Sequence, residues 1–193
     1  MVISVMAAPL PVAAVCSTSL ENILAPDREY MGFKSNGQHI WVGQEFETDC
    51  DGQFLTVSIF VDVQLVPADG ITNLTGGNLL TCTLMDDQNR PIATVGQVLT
   101  RAFGLEWVVF NFEFDALGLA AGTLAARIST PQEAYCLVGK SNDTVSGRMM
   151  RGTATTLNYV DSRDLAFKVA WDPESGVTPV EKSIWGAVQA LFR

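Results

Sequence analysis

From Leu55 to Leu65 every odd position is apolar: Leu55, Val57, Ile59, Val61, Val63 and Leu65. The even positions read Thr56, Ser58, Phe60, Asp62 and Gln64, with Phe60 the one departure. Side chains of an extended strand point to opposite faces in turn, so this stretch is a long strand with one buried face. A helix, with its period of about 3.6 residues, would scatter the same side chains around its circumference. Two further runs repeat the pattern. Val108, Phe110, Phe112 and Phe114 face away from Trp107, Val109, Asn111 and Glu113; Leu165, Phe167, Val169 and Trp171 face away from Ala166, Lys168, Ala170 and Asp172.

Shorter strand candidates are Gln44–Thr48, Leu79–Met85, Ile92–Leu99, Leu124–Ile128 and Tyr135–Val138. Turn chemistry separates them: Asp51-Gly52, Asp69-Gly70, Gly76-Gly77-Asn78, the segment Asp86 to Pro91, and Ser141-Asn142-Asp143. About eight strands at this spacing predict an all-β fold, an antiparallel jelly-roll-like β-sandwich over residues 41–172. No helical period interrupts that region, which disfavours an α/β fold. A length of 193 residues suits one such domain.

The flanks differ. Residues 1–40 read as an extended N-terminal arm. Its first residues are apolar, but there is no positively charged start, and Pro9 and Pro11 interrupt the run. Neither a signal peptide nor lipidation at Cys16 is expected, and the run is too short to span a bilayer. Residues 173–193 read as a linker and a short C-terminal helix, with Thr178-Pro179-Val180-Glu181 as its start. Ile184, Val188 and Leu191 fall on one face of that helix, with Trp185 and Phe192 beside them, and Gly186 weakens it. Such an apolar helix docks either on its own sandwich or on another subunit. Val12, Val15, Ile23, Leu24, Ile184, Trp185, Val188, Leu191 and Phe192 are therefore the candidate assembly residues.

Charge excludes some partners. The net charge is −9 and Lys/Arg clusters are absent, so neither nucleic acid nor an acidic membrane surface is an expected partner. Hydrophobic residues make up 48% against 17% charged, which rules out disorder and suggests apolar surface covered by a partner.

Motifs for catalysis are sparse. The single histidine, His39, sits in a polar loop, and no GxSxG, P-loop or GxGxxG occurs. Glu45, Glu47, Glu106 and Glu113 are the carboxylates that glycoside hydrolysis would need, but each lies at a polar-face position or a strand end. The chain is read as not an enzyme. No cofactor is expected apart from Ca²⁺, for which Asp49 and Asp51 in the turn Asp49-Cys50-Asp51-Gly52 are candidate ligands; a plain Asp-Gly turn is the competing reading. The cysteines Cys16, Cys50, Cys82 and Cys136 match no zinc spacing. Cys82 and Cys136 read as buried thiols, with a Cys50–Cys82 or Cys82–Cys136 bridge left open. Trp41, Trp107, Tyr135, Tyr159 and Trp171 are candidate sugar-stacking rings, and the strand register turns Trp107 and Tyr135 outward.

The segment from Val42 to Val169 resembles a recurrent bacterial and phage β-sandwich module. The carrying residues are Gly43-Gln44-Glu45-Phe46, the strand Leu55–Val63, the hairpin Leu80–Pro91, Trp107-Val108-Val109-Phe110-Asn111-Phe112, and Asp164–Val169. The module is similar to the jelly-roll, carbohydrate-binding-like domains of extracellular proteins and of phage fibre and decoration proteins. Glu45 stands where that family usually has Ser or Thr. The motifs fix strands and turns, so the resemblance brings no binding residues with it.

Together these features predict a structural protein of a virion: a capsid decoration, head-fibre or tail-appendage subunit, made in the host cytoplasm. Its expected partners are other virion proteins and copies of itself. The alternative is a carbohydrate-binding module of a surface protein, with surface glycans as ligands.

Overall fold

The structure, a computed structural model, describes residues 19–34, 36–63, 72–114, 119–141 and 147–172. In chain order the strands are β1 (Ser19–Asn22), β2 (Asp27–Phe33), β3 (His39–Thr48), β4 (Phe54–Val63), β5 (Thr72–Asn73), β6 (Leu79–Met85), β7 (Pro91–Val98), β8 (Gly104–Glu113), β9 (Gly122–Ser129), β10 (Ala134–Ser141), β11 (Met149–Gly152), β12 (Leu157–Val160), β13 (Asp164–Leu165) and β14 (Phe167–Asp172). No helix occurs among the described residues. The protein is all-β, and every pairing is antiparallel except the two-residue contact of β5 with β10. The predicted C-terminal helix, with Ile184, Trp185, Val188, Leu191 and Phe192, lies outside the described residues, as do Val12 and Val15.

The strands join in the order β1-β14-β4-β10-β2-β3-β9-β6-β7. The alternating run that opened the sequence is β4, at the middle of the first half of this sheet. One side of β4 pairs with β8 along its full length, from Phe54↔Glu113 to Val63↔Gly104. The other side pairs with β14 and then with β10. Leu55, Val57, Ile59, Val61 and Val63 are all buried, as the alternation requires. Phe60 departs from it for a local reason. It stacks on its cross-strand neighbour Trp107 at 5.2 Å on the outer face, under the Arg28 guanidinium.

Strand β3 is the corner. Its first two residues pair with β2, through Gly32↔Ile40 and Phe33↔His39. The remainder pairs with β9 on one side and β11 on the other. Strands β9, β6 and β7 continue that second half, and β12 borders β11. Both halves supply one contiguous hydrophobic core. Val57, Ile59, Phe110 and Phe167 come from the first half, and Phe46, Leu80, Leu84 and Ile128 from the second.

One boundary is corrected. Residues 1–40 were expected to be an extended arm, but Ser19–Asn22 and Asp27–Phe33 are strands of the sheet. Strand β1 pairs with β14, and β2 with β10. Strand β2 carries no alternating signal because its charged side chains are paired across the sheet instead of being solvated. Arg28 meets Asp62 at 2.9 Å, and Glu29 lies between Lys140 at 2.9 Å and Arg151 at 3.0 Å.

A buried polar knot joins the opening of β3 to the end of the chain's core. Gln44 is 1% exposed and Asp164 fully buried. Gln44 Nε2 donates to Asp164 Oδ1 at 2.8 Å, and Gln44 Oε1 accepts from the Leu165 N–H at 2.9 Å. Asn22 Nδ2 donates to the Leu165 carbonyl at 3.2 Å, which brings β1 into the same knot. The preceding Gly43 has its own constraint: a Cβ there would sit 2.8 Å from the Ala126 carbonyl oxygen and 3.2 Å from Met150 Cε.

The cysteines divide into two kinds. Cys50 is disulfide-bonded, whereas Cys82 and Cys136 are free and buried. The Cys50–Cys82 and Cys82–Cys136 bridges left open from the sequence are therefore both excluded. Burial pushes both free thiols far above their ordinary pKa, and the thiolate is the reactive form.

Two outcomes follow. Gln44→Ala removes both halves of the Asp164–Leu165 bridge from a dry site and is expected to cost about 2–3 kcal/mol. The urea midpoint should fall with an unchanged m-value; no shift would mean that the knot is not stabilising. In native protein treated with a thiol reagent, peptide mapping should find Cys82 and Cys136 unmodified, with labelling appearing only through the unfolding transition.

Candidate functional site

The face of β3, β9, β6 and β11 that turns away from the core carries its own small apolar cluster. Val42, Gln44 and Phe46 of β3 point inward, so Trp41, Gly43 and Glu45 point outward. In the same way β9 turns Ala125 and Arg127 outward, β6 turns Met85, and β11 turns Met150. Trp41, Met85, Ala125 and Met150 form a cluster separate from the main core.

Over this cluster lies a cavity of about 240 Å³. Trp41, Met85, Met150 and Leu157 are the large apolar residues of its lining; Arg127, Asn89 and the 153–156 turn complete it. Arg127 is opposite Gly43 in the strand register. Its guanidinium stacks over the Trp41 ring at 4.7 Å, a cation–π contact that fixes its plane. Trp41 is anchored in turn, its Nε1 donating to the Thr153 carbonyl at 2.8 Å.

The 153–156 turn is a preformed rim. The Thr153 N–H donates to the Thr156 carbonyl at 3.1 Å and to Thr156 Oγ1 at 3.0 Å, and the two hydroxyls lie 2.9 Å apart. Gly152 allows the turn to pass this close, since a Cβ there would fall 2.0 Å from the Thr156 carbonyl oxygen and 2.5 Å from the Trp41 ring. Beyond the rim, Tyr159 is exposed, with the Arg148 guanidinium 3.9 Å from its ring centre and Asn89 Nδ2 donating to its hydroxyl at 3.3 Å.

The residues expected from sequence fall elsewhere. Ile23 and Leu24, in the link between β1 and β2, are 54% and 57% exposed. Tyr135, expected to face outward as a sugar platform, is corrected: it is 2% exposed and stacks on Tyr30 at 4.8 Å. The register was right in alternation, but the Tyr30 ring of the adjacent strand β2 packs on Tyr135. Trp107 is half-buried against Phe60, with Lys168 Nζ 4.9 Å over its ring. The Trp171 indole is buried and donates to Cys50 Sγ at 3.2 Å.

Asp49 and Asp51 are exposed, and Asp51 Oδ1 accepts from the Ala121 N–H at 2.8 Å, tying the end of β3 to the start of β9. No group of three or more His, Cys, Asp or Glu that could hold a metal ion occurs among the described residues. Two of the four catalytic candidates have structural roles. Glu45 pairs with Arg148 at 3.1 Å; Glu106 accepts from Thr100 N and Arg101 N, each at 3.1 Å.

Sequence reasoning named Trp41 and Tyr159 as aromatics but did not bring them together, because β11 and β12 are short and carry no periodic signal. Arg127 was missed altogether. Its one mark was a lone cation inside the apolar run from Leu124 to Ile128.

No protein-family model matches the chain, and no curated protein matches it. Among solved structures, it is similar to the crystal structure of the enzymatically active domain of bacteriophage CBA120 tailspike protein 4. That likeness has 8% identity and a TM-score of 0.29, and covers 70% of this chain. The chain spans only 19% of the length of that tailspike structure. It is also similar to the cryo-EM structure of Broad Bean Stain Virus, at 10% identity and a TM-score of 0.25, over 81% of this chain and 95% of the other. Both scores are too low to carry an argument about shared fold or function.

The rim geometry yields a test. Gly152→Ala places a methyl group against the Trp41 ring and the Thr156 carbonyl and is expected to destabilise the protein by about 1–3 kcal/mol through overpacking. Thermal unfolding would report this as a lowered Tm, together with altered Trp41 fluorescence; an unchanged Tm would show that the turn relaxes freely.

Proposed function

We propose that this chain is a non-enzymatic structural subunit of a virion, a jelly-roll-like β-sandwich that assembles with copies of itself and with other virion proteins. Its place would be as a capsid decoration protein, a head fibre or a tail appendage. The observation that carries the assembly reading is the exposed pair Ile23–Leu24 beside β1, which lies at one end of the sheet order. Two adjacent large aliphatic side chains next to a strand that has no outer neighbour among the described residues offer apolar area and a pairing edge together. That combination favours an occupant in the assembled state. The resemblance of the Val42–Val169 segment to fibre and decoration modules supports the virion setting. The structural roles of Glu45 and Glu106 support a reading without catalysis.

The structure changes how assembly is best tested. Removing residues 1–25 would delete β1 and disturb β14, so loss of assembly would be ambiguous. The double substitution Ile23→Asp/Leu24→Asp leaves both strands in place. The full chain should form an oligomer by light scattering after size exclusion, and the double variant should shift to the monomer mass with unchanged circular dichroism. A monomeric wild-type chain, or a variant with unaltered mass, would falsify the assembly reading.

A further inference from the structure

The cavity beside Trp41 contains a cation that no carboxylate among the described residues neutralises. Arg28, Arg90, Arg148, Arg151 and Arg163 each lie within 3.6 Å of a carboxylate. Arg127 has no carboxylate partner among the described residues. It is nevertheless half-buried, and burial pushes its pKa down from the ordinary guanidinium value. A charge that loses water without gaining a counter-ion is destabilising in the empty protein. Its planar fork suits oxyanions such as a carboxylate or a phosphate, taken by two parallel hydrogen bonds.

The rest of the cavity narrows the ligand. Met85, Met150 and Leu157 give an apolar wall, suited to the C–H face of a ring. Asn89 and Thr155, also in the lining, bring hydrogen-bonding side chains to it. At about 240 Å³ the space is below the roughly 300–1,000 Å³ of pockets for drug-sized ligands, and suits one monosaccharide unit. We propose that this cavity binds a carboxylate-bearing sugar residue of the uronic acid class, with Arg127 taking the carboxylate, Trp41 holding Arg127 in place, and Asn89 and Thr155 meeting the ring hydroxyls. This site is on the outer face of the β3 half of the sheet and is separate from Ile23 and Leu24. It goes beyond the assembly role and does not depend on it.

The test uses the full chain titrated with glucuronate and galacturonate, followed by the NMR signal of the Trp41 indole N–H, which a Trp41→Phe variant assigns. Glucose, acetate and a short Glu-rich peptide are the comparison ligands. The expected result is a saturable shift with a uronate, at least tenfold tighter than with glucose or acetate. Arg127→Gln should weaken uronate binding about tenfold or more, since a charge-assisted contact is lost. Its Tm should fall by no more than the loss of the Trp41 cation–π contact costs, because no carboxylate among the described residues is stranded. Arg127→Lys keeps the charge without the planar fork and should also bind more weakly. Should Arg127→Gln fail to fold, Thr155→Ala gives the second reading and should weaken the uronate selectively. No saturable shift with either uronate, equal binding of glucose or of acetate, tighter binding of the peptide, or an Arg127→Gln affinity equal to wild type would each overturn the proposal.

Discussion

The bridge from Gln44 to Asp164 and the Leu165 N–H holds together parts of the chain that are far apart in sequence. Gln44 belongs to the corner strand β3. Asp164 and Leu165 form β13, which pairs with β10 in the other half of the sheet. The contact is buried, so neither side can exchange it for water, and each group is costly to leave unpaired. A one-residue slip of β3 would turn Gln44 outward and Gly43 inward, breaking the bridge and the core pattern of Val42 and Phe46 together. The polar knot thus fixes the register of β3, and the pairings with β9 and β11 follow from that register.

That register also creates the cavity. With Gln44 inward, Trp41 and Gly43 must face outward, Gly43 falls opposite Arg127, and the guanidinium lies on the indole. The same backbone step therefore sets the main core on one face and an apolar, cationic recess on the other. Glycine is required at Gly43 and Gly152 because neighbouring backbone and ring atoms occupy the space a Cβ would need. Both positions serve the packing of the sheet and the shape of the recess at once.

Charge is handled differently on the two halves. Around β2, Arg28, Glu29, Lys140 and Arg151 pair with one another or with Asp62, and Glu29 and Lys140 are largely withdrawn from solvent. Around the recess, Arg148 is satisfied by Glu45, but Arg127 lies on the face of Trp41 with no carboxylate partner among the described residues. In a chain with net charge −9, a half-buried cation without a carboxylate is a local exception to an otherwise acidic surface. Ile23 and Leu24 are adjacent exposed aliphatic side chains beside β1, the last strand of the sheet order at that end among the described residues.

The alternation from Leu55 to Val63 determined β4 and its buried face, because a period of two is a property of the extended backbone itself. For the same reason β6, β8, β9 and β14 were legible, and Asp86, Gly77 and their neighbours marked the turns between strands. Strand β2 was not legible. Its charged side chains are neutralised by partners up to 122 residues away, and nothing in the local sequence distinguishes a paired charge from a solvated one. Tyr135 alternated as expected, yet the Tyr30 ring of the neighbouring strand β2 packs on it, and it is buried. Arg127, Trp41 and the 153–156 turn are far apart in the chain, and only the pairing of β3 with β9 and β11 made them neighbours. Local periodicity sets which residues share a face of a strand, whereas tertiary pairing decides what covers that face, and with it where a recess can form.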